Sequence, residues 1–132
     1  MSENSSNETI TLEYLDEIHD AFNRHDVEAV VGYFAEDGVF RLARGDDGFG
    51  RKPTGKAEIR DFLNDRFRAI GDMHWEASAT WFSGNRATSE WLVTATLPNG
   101  DKLELSGCDL YEFRGRQIIK KDTYWKAIDQ SI

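Results

Sequence analysis

Leu12, Leu15, Ile18, Ala21 and Phe22 recur along one face at helical spacing, which predicts a first helix over residues 10–24. His25-Asp26 interrupts it, and Asp26 is a suitable N-cap for a second, short helix carrying Val30, Val31 and Phe34. Asp37-Gly38 closes that helix, and residues 39–43 read as a short strand. Residues 44–54 hold three glycines and a proline, so they form a loop, either an exposed turn or a flexible lid over a pocket. Ile59, Phe62, Leu63, Phe67 and Ile70 then form the apolar stripe of a third helix, beginning near Thr54-Gly55 and ending before Gly71. From Met73 onward the chain reads as β, with strands at about 73–82, 87–97, 102–113 and 117–126. The pattern predicts an α+β domain, three N-terminal helices packed on one face of an antiparallel sheet.

Hairpin geometry turns this pattern into candidate chemistry. Asn99-Gly100 between two β runs is a strong signal for a two-residue type I′ turn. That turn pairs Pro98 with Asp101 and sets Glu90 opposite Asp109. Opposed like charges destabilise a sheet, and two buried carboxylates at that range share a proton, an arrangement used in general acid/base sites. A two-residue turn at Gly84-Asn85 likewise sets Ala79 opposite Glu90. The face carrying Glu90 then holds Met73, Trp75, Ala77, Leu92, Thr94, Leu105, Asp109 and Tyr111, an apolar wall with two acids that suits a small-molecule pocket. A solvated face is the alternative, because Trp91, Val93 and Ala95 lie on the other side. The last hairpin has two registers. A turn centred on Gly115-Arg116 brings Asp122 opposite Asp109, whereas a three-residue loop brings Lys121 there to neutralise the acids. Burying three unpaired carboxylates would be costly, which favours Lys121. Tyr124 and Trp125 alternate on the final strand, one lining the pocket and the other facing a dimer interface.

Composition narrows the function classes. The 132 residues suffice for one domain with a real core, residues 10–132, preceded by a flexible polar segment at 1–9. A formal charge of −8 disfavours nucleic acid and anionic membranes as partners. The acidic excess, with more Arg than Lys, would also suit a salt-rich cytoplasm. The single cysteine, Cys108, excludes an internal disulfide and reads as a buried, inert thiol. The N-terminal segment lacks signal-peptide character and no apolar run spans a bilayer, so a cytoplasmic location is expected. The glycines of the loop do not form a phosphate-binding motif, and Asp46-Asp47 lacks the later ligands of a calcium loop. His19 and His25 read as surface residues, and His74 is turned away from the pocket. No metal or other cofactor is expected.

Several motifs are shared with a known group. Ala21-Phe-Asn-Arg-His-Asp26, Tyr33-Phe-Ala-Glu-Asp37, Gly55-Lys-Ala-Glu-Ile-Arg60, Ser89-Glu-Trp91, Gly107-Cys-Asp-Leu-Tyr-Glu-Phe113 and Lys121-Asp-Thr-Tyr-Trp-Lys126 carry the resemblance. The chain resembles the nuclear-transport-factor-2-like (NTF2-like) superfamily, in particular its polyketide-cyclase-like (SnoaL-like) and ketosteroid-isomerase-like small proteins. The resemblance implies a strongly bent sheet closing with the helices into a cone-shaped pocket, usually in a homodimer. In steroid isomerases of this fold the position of Asp109 carries a protonated aspartate that stabilises a dienolate. Their general base falls on Leu42 and their first-helix tyrosine on Ile18, so the steroid reaction itself is not expected.

Two functions follow. One is a cofactor-independent acid/base enzyme of isomerase, cyclase or hydrolase type on a small hydrophobic substrate. Asp109, Glu90 and Lys121 would be catalytic, and Trp75, Leu42, Leu92, Thr94, Tyr111, Asp122, Tyr124 and Trp125 would line the pocket. The other is a non-catalytic ligand-binding or dimeric accessory protein. In both, the partners are a small molecule and a second copy, docked through Trp91, Val93, Cys108 and Leu110 on the opposite sheet face.

Overall fold

A computed structural model describes residues 10–129. The expectations for residues 1–9 and for the last three residues lie outside them. Helix α1 (Leu12–Asn23) starts at Thr11, whose hydroxyl accepts a hydrogen bond from the Tyr14 amide, and buries Tyr14, Leu15, Ile18, Ala21 and Phe22. Helix α2 (Val27–Tyr33) is capped by Asp26, as the sequence predicts. The chain reverses between them through His25, the one non-glycine residue with positive φ (56°) among the described residues. Strand β1 (Phe34–Arg41) begins where α2 ends, so Phe34 belongs to the strand, and Asp37-Gly38, expected to close the helix before a strand at 39–43, lies within it. Helix α3 (Gly55–Ala69) and strands β2 (His74–Ser83), β3 (Arg86–Thr96), β4 (Lys102–Arg114) and β5 (Gln117–Trp125) match the predicted segments closely.

The five strands form one open sheet in the order β1-β5-β4-β3-β2. The four C-terminal strands are the expected meander, but β1 runs parallel to β5, with Phe40 beside Lys121 and Arg41 beside Asp122. The sheet is therefore mixed rather than purely antiparallel. Helices cover one face, and Phe34, Phe40, Ile59, Leu63, Val93, Phe113 and Ile118 lie in the core between the layers. The loop at 44–54 doubles back along β1, with Phe40 N–H donating to Pro53 O and Leu42 N–H to Arg51 O.

Register decides which residues meet, and at the β3–β4 hairpin it differs from the expected one. Leu97 N–H donates to Asp101 O, and Gly100 N–H to Leu97 O, around a three-residue loop, Pro98-Asn99-Gly100. The fixed φ of proline suits the first central position of a type I turn, and Gly100 supplies the left-handed residue (φ 92°) that follows it. A type I′ turn would instead require Asn99 at positive φ. The extra loop residue slides β4 by one position, so Asp109 lies opposite Ser89 and Glu90 opposite Cys108. A one-residue slip exchanges the faces of a strand. Trp91, Val93 and Ala95 are therefore buried under the helices, while Glu90 is exposed on the outer face with Leu92 and Thr94 turned the same way. Trp91 and Val93 cannot contribute to an outer-face interface.

Two bulges complete the correction. Ala79 does lie opposite Glu90, but an extra residue between Ala77 and Ala79 realigns the rest of β2, so that Trp75 meets Val93 and Ala77 meets Trp91. At the last hairpin the turn is Gly115-Arg116, with Arg114 opposite Gln117, yet a shift between Glu112 and Phe113 changes the register beyond it. Neither Lys121 nor Asp122 lies opposite Asp109; Thr123 does.

Candidate functional site

Asp109 sits in the middle of β4, facing the helices at 6% exposure. Lys121, two residues along β5 from the cross-strand partner Thr123, shares that face and its Nζ donates to Asp109 Oδ1 at 2.8 Å. Thr123 Oγ1 donates to the same oxygen at 2.6 Å and accepts from Lys121 Nζ at 3.0 Å. Trp91 Nε1 donates to Asp109 Oδ2 at 2.9 Å. The indole can reach because β4 has Gly107 opposite Trp91; a Cβ there would come within 2.5 Å of the ring and of Tyr124 O. Three donors thus converge on one carboxylate, and Oδ2, holding one of them, keeps a lone pair for a further partner.

The ammonium is enclosed as tightly. Lys121 Nζ lies 4.2 Å from the Phe40 ring centre and 4.7 Å from that of Phe22, in contact with their π faces. Burial pulls the lysine below its ordinary pKa, and the negative charge and hydrogen bond of Asp109 oppose the shift. Tyr111, stacked along the same wall, is pushed well above its ordinary value by burial and then by the charge of Asp109, so it remains a neutral phenol.

His19, Phe22, Trp75, Trp91, Asp109, Tyr111 and Lys121 surround a void of about 10 Å³, room for a single water. Of the residues proposed from sequence, the fold brings Asp109, Lys121, Trp75 and Tyr111 together here. Leu42 is buried core but is not in the wall of this void. Asp122 is buried on the opposite face, 3.4 Å from Arg41 Nη1 and 3.3 Å from the Tyr124 hydroxyl. Tyr124 is exposed, and with Trp125, Glu90 and Cys108 it borders an outer-face groove of about 450 Å³. Thr94 lines a separate surface groove, and Leu92 lies between the two on the outer face. The proposed Glu90–Asp109 carboxylate pair is absent, because the two side chains emerge from opposite sides of the sheet.

Sequence reasoning missed His19, Trp91 and Thr123. His19 is half-buried and engaged rather than free on the surface: its Nε2 is 2.8 Å from Trp75 O, beside Asn23, which bonds both the N–H and C=O of Trp75. The signal was present, since Leu15, His19 and Phe22 fall on one helical ridge. His25 is likewise engaged, stacked 3.9 Å from Phe67 with Nε2 2.6 Å from Met73 O, whereas His74 is exposed as expected. Trp91 and Thr123 were lost through the register alone.

Among solved structures, the chain is similar to a presumed polyketide cyclase from Xanthomonas campestris pv. campestris (22% identity over 86% of this chain and 88% of that one, TM-score 0.76). It is also similar to a protein of ketosteroid isomerase-like fold from Catenulispora acidiphila in complex with trimethylamine (20% identity, 87% and 86%, TM-score 0.75). A third similar structure is TerC co-crystallised with polyporic acid (18% identity, 87% and 90%, TM-score 0.75). At these identities the likeness is one of fold, and it agrees with the helices-on-sheet architecture above. The comparison with curated proteins returned no match. The model of the SnoaL-like domain matches residues 15–121, most of the length, and the chain belongs to that family.

Proposed function

We propose that this protein is a cofactor-independent, small-molecule enzyme of isomerase or cyclase type in which Asp109 moves a proton. The observation that carries the reading is a buried carboxylate on the wall of a small void, held by three donors of which only one engages Oδ2. Trp91, Thr123 and Lys121 fix the orientation of Asp109, and Lys121 supplies a positive charge beside any enolate that forms. In the step envisaged, Asp109 Oδ2 takes the proton from a carbon next to a carbonyl. The C–H electron pair passes into the enolate, and the same oxygen returns the proton to that or another carbon. Glu90 has no part in this scheme. Similar folds with trimethylamine and polyporic acid support a small organic molecule as the ligand class. A void of about 10 Å³ requires side chains to move before such a molecule enters.

Deuterium incorporation from D2O into cyclic ketones and 1,3-diketones, followed by NMR, tests the scheme. The native protein and Glu90→Gln should accelerate exchange into at least one of these compounds, and Asp109→Asn should not, while remaining folded. No acceleration across the panel would leave the non-catalytic reading in front. That second reading draws on the outer face, where Leu110 and Tyr124 are exposed beside the 450 Å³ groove. Both readings include a homodimer through this face, built on Leu110, Tyr124 and Cys108 rather than on Trp91 and Val93. Sedimentation should give a dimer that Leu110→Asp converts to monomer; a native monomer at micromolar concentration would reject it.

A further inference from the structure

On the helical side of the buried pair, Phe62 of α3 has a guanidinium on either hand. Arg66 lies 4.6 Å and Arg51 5.6 Å from its ring centre. Neither arginine has a carboxylate within salt-bridge distance among the described residues, although most other arginines do. Asp65 borders the same cleft, but its carboxylate is paired with Arg68 at 3.1 Å. Arg66 is half-buried: burial, then the charge of Arg51, lowers its pKa to about 10, with Asp109 opposing. A half-buried cation beside a second, exposed one is repelled by it, and a bound anion relieves that repulsion. The cleft between them, with Phe62 and Ile70 as apolar wall, measures about 320 Å³, ample for a small aromatic acid.

We propose that Arg51 and Arg66 form an anion anchor at the mouth of the Asp109 site, and that the substrate is a small apolar acid held by its carboxylate. Guanidinium groups suit this task because their planar donors match a carboxylate in pairs. The anchor stands one aromatic layer from the chemistry. Phe62 packs edge-on against Phe40 at 5.8 Å, and Phe40 covers the ammonium of Lys121 at 4.2 Å. Displacing the Phe62 ring, held by cation–π contacts rather than by hydrogen bonds, opens the cleft toward Phe40 and the pair behind it. An anion on the two arginines removes the repulsion between them and leaves the neutral Asp109–Lys121 pair undisturbed. Placing the substrate here rests on the proton-transfer reading; the anion anchor itself does not.

Benzoate and its neutral counterpart benzamide are the probes, titrated into the full chain at constant ionic strength. Arginine Nε–Hε and Phe62 NMR signals are followed. Benzoate should shift Arg66 and Phe62 saturably and benzamide should not. Arg66→Met and Arg51→Met should each weaken benzoate at least tenfold, while Arg66→Lys retains part of the affinity. An equal response to both probes, no saturable response, or native affinity in Arg66→Met would overturn the anchor. The deuterium-exchange assay separates the two readings. Benzoate binding without any exchange dependent on Asp109 keeps the anchor and rejects the proton transfer. Exchange that is as fast on neutral ketones as on keto acids, and indifferent to Arg66→Met, keeps the proton transfer and rejects an acid held at the anchor as its substrate.

Discussion

Replacing Lys121 by Met would remove the ammonium beside Asp109, whose side chain is 8% exposed. Trp91 and Thr123 would still donate to it, but the opposite charge would be gone. Deleting one partner of a buried pair costs about 3–5 kcal/mol, because the remaining charge stays desolvated. Asp109→Asn should cost less. Lys121 already has a lowered pKa, and without Asp109 to oppose burial it can release its proton and become neutral. The double substitution should be little worse than Lys121→Met alone, giving a coupling of roughly 2–3 kcal/mol in a double-mutant cycle. Urea unfolding followed by tryptophan fluorescence provides the measurement, since Trp91 touches the pair. With m near 2 kcal/mol/M, a loss of about 4 kcal/mol lowers the midpoint by roughly 2 M. A loss below about 1 kcal/mol for Lys121→Met, or effects that simply add, would refute the reasoning. The pair would then be solvated, and the interior open to water.

Two further outcomes test the packing around the site. Gly107→Ala places a Cβ against the Trp91 ring and Tyr124 O, and should destabilise the protein by about 1–3 kcal/mol while displacing the indole from Asp109; an unchanged melting temperature and tryptophan spectrum would contradict that. Asp72 accepts from the Thr96 amide at 2.8 Å and its hydroxyl at 2.7 Å, which holds the carboxyl below its ordinary value of 3.8. A depressed carboxyl pKa contributes stability above the unfolded value and loses it as pH falls through the folded one. Asp72→Asn should therefore flatten the loss of stability below about pH 4, and a denaturation profile as steep as the native one would count against this clasp.

Most elements were legible because they depend on local signals, although the boundary of α2 with β1 falls at Tyr33-Phe34 rather than at Asp37-Gly38. The apolar stripe of α1, the Asp26 cap and the glycine turns each act over a few residues, and each reappears in the structure. Register was not legible, because it accumulates single-residue events. Asn99-Gly100 competes with Pro98 for the turn type, and the preset φ of the proline wins. The bulges near Ala77 and Glu112 carry no glycine or proline to announce them. Hence the structure brings Asp109 and Lys121 together, while Glu90, the acid expected opposite Asp109, lies on the other face. An error of one position exchanged Glu90, on the surface, for Trp91, which holds the carboxylate.

The exchange alters the chemistry that can be considered. Two carboxylates would have shared a proton; a carboxylate and an ammonium instead make a neutral unit that can remain buried when no ligand is present. Such a unit adds little net stability over apolar residues of the same volume. Stability alone therefore gives no reason for Trp91, Thr123 and Lys121 all to point at one side chain. Proton transfer gives one, since a base is effective when its free lone pair is fixed in direction before the substrate arrives. The three donors leave Oδ2 of Asp109 with a lone pair, and Asp109 stands on the wall of the void with His19, Trp75 and Tyr111. In the proposed proton transfer, the smallness of the void means that side chains must move before a substrate enters. On the proposed reading, an anion reaching Arg51 and Arg66 meets the ring of Phe62 first, with Phe40 and the ammonium of Lys121 behind it.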